Sequence, residues 1–323
     1  MPTTPAWLRP DIVLLDDRCP LPLDRPFTRA QAAAWGVGPT LLRLAARRHL
    51  VREVVRGTYA VAQLRDTIEV RAAALGLVVS DHAVITDRTA AWLHDVDVLP
   101  RRAAHEPVPL DVFGAEGSRV RRPGVASGVR SLRPDEVVEL GGVLLTSRTR
   151  TALDLGRMLP RYDAIGALDA FLGSGVPRHE LEWGVHRFKG HRGVLQLREL
   201  VPLADPRAES MPESALRLHG HDGGLPALTP QVWVEGRRRV DLGIPEIRYA
   251  AEFLGEAFHT GEDQREADEE RTAWLMERWW VVDMFGKEDV YGPHADPAGV
   301  MREGVRRARE QLGAWRPQGK FLP

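Results

Sequence analysis

The chain has 323 residues, 43% apolar and 28% charged, and 44 Lys and Arg against 45 Asp and Glu leave a formal net charge of -1. That balance excludes a protein that coats nucleic acid or membrane by bulk charge, so recognition of a polyanion must come from local patches. A single cysteine, Cys19, excludes an intrachain disulfide and a cysteine-based zinc site.

Residues 1–26 carry several prolines and no sustained period, and they read as an irregular arm. The opening MPTTPAWLRPDIVLLDD lacks the basic start of a signal peptide, and no run approaches the roughly 20 apolar residues of a membrane span. The expectation is a cytoplasmic protein with no membrane partner. From Phe27 a pattern begins. Thr28 can cap a helix through Ala34, WGVG is a glycine turn, and Leu41, Leu42 and Leu44 give a second helix its apolar face. LVREVVRGTYAVA then reads as two short strands about Arg56-Gly57. Helix, turn, helix and hairpin describe a winged helix-turn-helix over residues 27–65.

Between Phe27 and Ala62 the only acid is Glu53, against Arg29, Arg43, Arg47, Arg48, Arg52 and Arg56. These arginines are the expected DNA-binding set. Arg43, Arg47 and Arg48 belong to the helix that would enter the major groove, and Arg52 and Arg56 to the wing, where phosphate contacts fix register. The alternative is an ordinary solvated surface in an arginine-rich chain.

Over residues 66–205 a helix pair (DTIEVRAAALGLVV, ITDRTAAWLHD) precedes a β-rich stretch with PLDVF, GVRSL and GVLLT. The helices SRTRTALDLGRML, YDAIGALDAFLG and RHELEWGVHRFKG follow. LVPLADPRAESMPE reads as a polar linker and the boundary to a last domain, 206–323. That domain runs helix (Glu213 to about His221), strands LTPQVWV, RRVDLGI and RYAAEFL, helix EDQREADEERTAWLMERW, strand WVVDMF and a final helix. The expected class is a multi-domain α/β protein with a mixed sheet flanked by helices in its last domain. Trp274, Trp279 and Trp280 read as core rather than as a base-stacking surface.

Two strands of that domain each hold an acid, Asp241 and Glu252, in an apolar run. Burying an ionised carboxylate without a partner costs several kcal/mol. If the strands are neighbours, the two can share one hard cation, Mg²⁺ or Mn²⁺, with Glu213 as a third acid. The rival reading is ion pairing with Arg239 or Arg248, and for Glu213 simply an acid suited to a helix start.

Glu213 to about Gly292 resembles the PD-(D/E)xK restriction-endonuclease-like superfamily, in particular the branch related to very-short-patch repair endonucleases. The stretches EFLGEAFHT and DQREADEER carry the resemblance. It implies a phosphodiester hydrolase with Asp241 and Glu252 as metal ligands and Glu213 as the helix-borne acid. It also implies His259, Gln264, Asp268 and Arg271 as neighbours facing the site. Gln264, Asp268, Arg271 and Leu275 share one helical face by spacing. Leu254 stands where the superfamily has lysine and this branch usually aspartate, and Lys287, Arg271 or His259 would have to replace that group. Residues Phe27–Ala62, with TDRTAAWLHD and LLTSRTRTALDLGR, resemble the AbiEi-type antitoxin and transcriptional-regulator family. This implies a winged helix followed by an α/β regulatory domain, and a cognate toxin as protein partner. Two expectations follow: a magnesium-dependent DNA endonuclease targeted by the winged helix, or a DNA-binding regulator whose nuclease-like domain is inactive.

Overall fold

The computed structural model describes residues 5–99, 106–114, 126–255 and 270–315. The chain divides into two compact units, Met1–Leu155 and Gly156–Pro323. It is a multi-domain α/β protein, with three sheets among the described residues. No helix among these residues is long and apolar enough to cross a membrane.

The first unit begins with a helix–turn–helix–hairpin module. Strand β1 (Phe27–Thr28) leads into α1 (Arg29–Ala34), then α2 (Pro39–Arg47), β2 (Val51–Val55) and β3 (Thr58–Val61), with sheet order β1-β3-β2. Thr28 and Gln31 close a reciprocal cap: the Gln31 N–H donates to Thr28 Oγ1 at 3.2 Å and the Thr28 N–H to Gln31 Oε1 at 2.7 Å. Gly36, at φ +84°, makes the turn between the helices. The supposed arm is part of this module. Trp7, Leu8, Leu15 and Leu21 are buried in one core with Phe27, Leu42 and Val61, and the Arg48 guanidinium donates to the Leu8 carbonyl. The prolines set an irregular path without preventing burial of its apolar side chains.

Next come α3 (Ile68–Gly76), β4 (Ala83–Ile85), α4 (Asp87–Leu93), β5 (Asp111–Gly114), β6 (Ala126–Val129), β7 (Val137–Leu140) and β8 (Val143–Thr146). The sheet order is β6-β5-β4-β8-β7. An ionic network lies beneath it. Arg130 donates to Asp87 at 2.8 Å and to Asp154 at 3.1 Å, and Arg150 to Asp154 at 2.8 Å and to Glu136 at 2.5 Å.

Helix α5 (Arg148–Met158) is followed in the second unit by α6 (Arg161–Gly173), α7 (Arg178–Gly184), α8 (Val194–Leu203) and α9 (Met211–Asp222). The expected linker is not a boundary, because its start is the last turn of α8 and its flanks are bound together. Arg217 on α9 pairs with the buried Asp169 on α6 at 2.8 Å and donates to Leu203 O at 2.6 Å, while Asp169 accepts the Asp205 N–H at 2.7 Å. Polar composition suggested a linker, but those polar groups are satisfied internally.

Strands β9 (Thr229–Val234), β10 (Arg238–Ile244) and β11 (Tyr249–Phe253) form an antiparallel meander. The β9–β10 turn carries left-handed Glu235 (φ +51°) and Gly236 (φ +65°), the twist-matched hairpin geometry. Residues 270–276 are helical (α10) and lead to β12 (Val281–Phe285), which pairs parallel with β11. The last elements are α11 (Lys287–Tyr291) and α12 (Pro297–Trp315). Leu216 of α9 and Met301 and Val305 of α12 join Leu242, Ile244, Tyr249 and Ala251 in one core. Leu275 of α10 joins Val240, Ala250 and Trp280 in another.

Candidate active site

The meander brings the expected acids together. Leu242 pairs with Ala251, and one further step of that antiparallel register sets Asp241 against Glu252. Asp241 Oδ2 accepts the Phe253 N–H at 3.0 Å, so the acid is stitched across to the neighbouring strand. Glu252 is 5% exposed. Its Oε2 lies 2.6 Å from Arg271 Nη2 on α10, which also donates to the Arg239 carbonyl at 2.9 Å.

Glu213 is buried at the start of α9, where Ser210 is the N-cap. Ser210 Oγ donates to Glu213 Oε1 at 2.6 Å, while the Glu209 N–H (3.2 Å) and Gln231 Nε2 (2.8 Å) donate to Oε2. Burial pushes the Glu213 carboxyl up; the Ser210 hydroxyl opposes this and the charge of Asp241 adds to it. Burial likewise pushes Asp241 up, opposed by the Phe253 N–H and by the charges of Arg271 and Arg239. Both groups therefore hold a proton more readily than an exposed acid, and each is close enough to the cluster to sense its charges.

Gln231 was not foreseen. It falls between the pairs Val240↔Val232 and Leu242↔Pro230, opposite Asp241, and has φ +56°. A left-handed non-glycine residue costs about 1–3 kcal/mol and is characteristic of functional positions. Here the turned backbone delivers an amide to Glu213. Pro230 was the available signal, because proline inside a strand marks an edge or an irregularity, and β9 is the sheet edge.

The remaining expectations divide. Arg271 reaches Glu252. Of the two arginines in the rival reading, Arg239 pairs with Glu209 at 2.7 Å and Arg248 donates to Arg278 O at 3.2 Å. Lys287 opens helix α11 instead of lying on the last strand, and Met284 is the β12 residue paired with Glu252. Leu254 continues the sheet, its N–H donating to Phe285 O at 2.8 Å. His259, Gln264 and Asp268 lie outside the described residues. Among those residues, no group of three or more His, Cys, Asp or Glu side chains is gathered as a ready cation cage. Arg271 supplies the positive charge at Glu252.

On the helix–hairpin module of the first unit, Arg29, Arg43, Arg47 and Arg56 are exposed, Arg29 reaching the Tyr59 hydroxyl at 3.5 Å. Arg48 is diverted to the Leu8 carbonyl and is half-buried. Arg52 leans toward Asp66 at 3.8 Å. A hollow of about 540 Å³ between α2 and β2 is lined by Arg29, Arg43, Arg52, His49 and Tyr59. Of the three tryptophans expected in the core, Trp280 is buried, Trp274 half-buried and Trp279 exposed at the bend after α10.

No protein-family profile matches the chain. A crystal structure of the RV2827C protein from Mycobacterium tuberculosis aligns with 55% of this chain and 76% of its own, at 13% identity and a TM-score of 0.28, a level that fixes neither fold nor activity. Two relatives from Mycobacterium tuberculosis are each 36% identical over 239 residues, covering 72% of this chain and 84% of their own. They are the uncharacterized proteins MT2308 (strain CDC 1551 / Oshkosh) and Rv2248 (strain ATCC 25618 / H37Rv). The chain belongs to the same protein family as these two mycobacterial proteins.

Proposed function

We propose that this protein is a metal-dependent DNA endonuclease whose winged helix holds duplex DNA and whose second unit cleaves a phosphodiester bond. One observation supports this above the others: the β10–β11 register sets Asp241 opposite Glu252, and Glu213 on α9 feels the charge of Asp241, with burial raising both Glu213 and Asp241. The donor set consists of oxygen only, which suits a hard divalent ion such as Mg²⁺ or Mn²⁺. Asp241 and Glu252 would hold that ion once Arg271 yields Glu252. Bound there, it would supply a Lewis acid for the attack of water on phosphorus. Glu213, held by Ser210, Glu209 and Gln231 and raised by burial, would be the group to take up a proton there. Arg271 carries the positive charge that Leu254 cannot.

A second reading rests on the same ion pair. With Glu252 already neutralised by Arg271 at 2.6 Å and leucine at position 254, the second unit would be a silent nuclease fold. The protein would then be a DNA-binding regulator of the AbiEi antitoxin type with a cognate toxin.

Nicking of supercoiled plasmid with Mg²⁺ or Mn²⁺ separates the two. The nuclease reading expects cleavage that is lost in Asp241→Ala and in Glu252→Ala; cleavage that survives both removes it. Absence of cleavage with either ion, together with duplex binding that weakens and loses salt dependence in Arg43→Ala/Arg47→Ala, establishes the regulator.

A further inference from the structure

The β9–β10 hairpin presents an exposed aromatic surface next to the acids. Trp233 is 62% exposed, on the edge strand of the sheet. Single exposed apolar residues are common and need no explanation. This one lies beside a cation. Arg239 is its direct partner across the hairpin, with its guanidinium 5.9 Å from the indole centroid. Arg237, Arg238 and Arg239 follow one another in sequence. Arg238 alternates to the other side of the strand, where it and Arg278 lie over the Trp274 ring at 5.7 and 3.7 Å.

The surface is continuous with the acid cluster. Arg239 lies two residues before Asp241 on β10, about 7 Å along the strand. Its carbonyl accepts from Arg271, and its side chain pairs with Glu209, whose N–H donates to Glu213. An exposed flat ring beside a guanidinium is a combination that holds an unpaired base by stacking and its phosphate by charge. The bases of an uninterrupted duplex offer no free face to such a ring. A protein strand added to the β9 edge would use backbone pairing and would gain nothing from three consecutive arginines.

We propose that Trp233 and Arg239, with Arg237 at the adjoining turn, form a stacking platform for an unpaired nucleotide, so that the second unit takes single-stranded DNA. The inference rests on the nuclease reading for its account of what the platform feeds, but the platform is a binding site in its own right.

The test is fluorescence anisotropy of full-length protein with EDTA, so that cleavage plays no part, using a short labelled DNA single strand and the blunt duplex of the same sequence. Trp233→Ala should weaken single-strand binding by roughly ten-fold or more, the loss of one stacked base, and leave duplex binding unchanged. Trp233→Phe should restore most of it. Arg239→Gln should weaken single-strand binding and flatten its dependence on salt. Equal affinity of wild type and Trp233→Ala for the single strand overturns the proposal. So does an equal loss on both DNAs, or a change of oligomeric state in Trp233→Ala on size exclusion, which would make the edge an interface between protein chains. Trp233-dependent binding without plasmid cleavage sinks the nuclease reading alone, and cleavage with Trp233-independent binding sinks the platform alone.

Discussion

Replacing Arg271 by alanine tests the charge arrangement at the acid cluster without requiring activity. The guanidinium is 29% exposed and its partner carboxylate 6%. Its loss strands a buried negative charge beside Asp241, whose own acid it helps to hold down. Removing one member of a buried pair costs about 3–5 kcal/mol, and the partial exposure of Arg271 places this case near 3. A divalent ion that binds the vacated carboxylates restores stability by mass action, about 2.7 kcal/mol at a hundredfold excess over its dissociation constant. The assay is urea denaturation followed by tryptophan fluorescence and circular dichroism, analysed as two transitions because the chain has two units. Arg271→Ala should be destabilised in EDTA and largely rescued by Mn²⁺. Wild type should gain less, since Arg271 competes with the ion for Glu252. The double variant Glu252→Gln/Arg271→Ala should be more stable than the sum of the single losses requires. Equal stability of variant and wild type in EDTA, or equal protection of both by Mn²⁺, refutes the reasoning.

Three further outcomes concern the scaffold. Asp169→Ala strands Arg217 between α6 and α9 and should cost about 3–5 kcal/mol in the same denaturation experiment, because Asp169 is buried and bonded on both oxygens. Asp111 is pushed from 3.8 to about 6 by burial and then by the charge of Asp87. A raised acid contributes stability that is fully present below 3.8 and lost as pH rises through about 6. Asp111→Asn should therefore gain on wild type above that pH and lose the advantage in acid, read from urea midpoints across the range. Thr28→Ala removes the cap of α1 and should cost about 1 kcal/mol, measured as a lower midpoint for the first unit.

The acids at 241 and 252 were legible because a carboxylate interrupting an apolar strand is costly enough to demand a reason. The helix–hairpin order of residues 27–65 was legible because Thr28, Gly36 and the leucines of α2 each have one natural place in it. Other features lacked a local signal. Strand β4 is three residues long, too short to show a period. Helix α8 was concealed by Pro202, which sits inside its last turn although it removes a backbone donor there. The partner of Glu252 could not be chosen from sequence, since Arg239, Arg248 and Arg271 all lay at plausible spacings and only three-dimensional packing selects among them. Arg48 looked like its exposed neighbours, and its role depends on Leu8, forty residues away in the chain.

The amide at position 231 answers to two constraints that rarely coincide. The left-handed backbone there favours glycine, asparagine or aspartate, whereas the bond to Glu213 asks for a donor on a side chain of glutamine's reach. Glycine would relax the strand but take away one of the acid's three donors. Asparagine would tolerate the twist but fall a methylene short. The identity of one edge-strand residue is thus pinned by the acid it restrains, and the sheet carries a local penalty so that a carboxylate on another element stays in place.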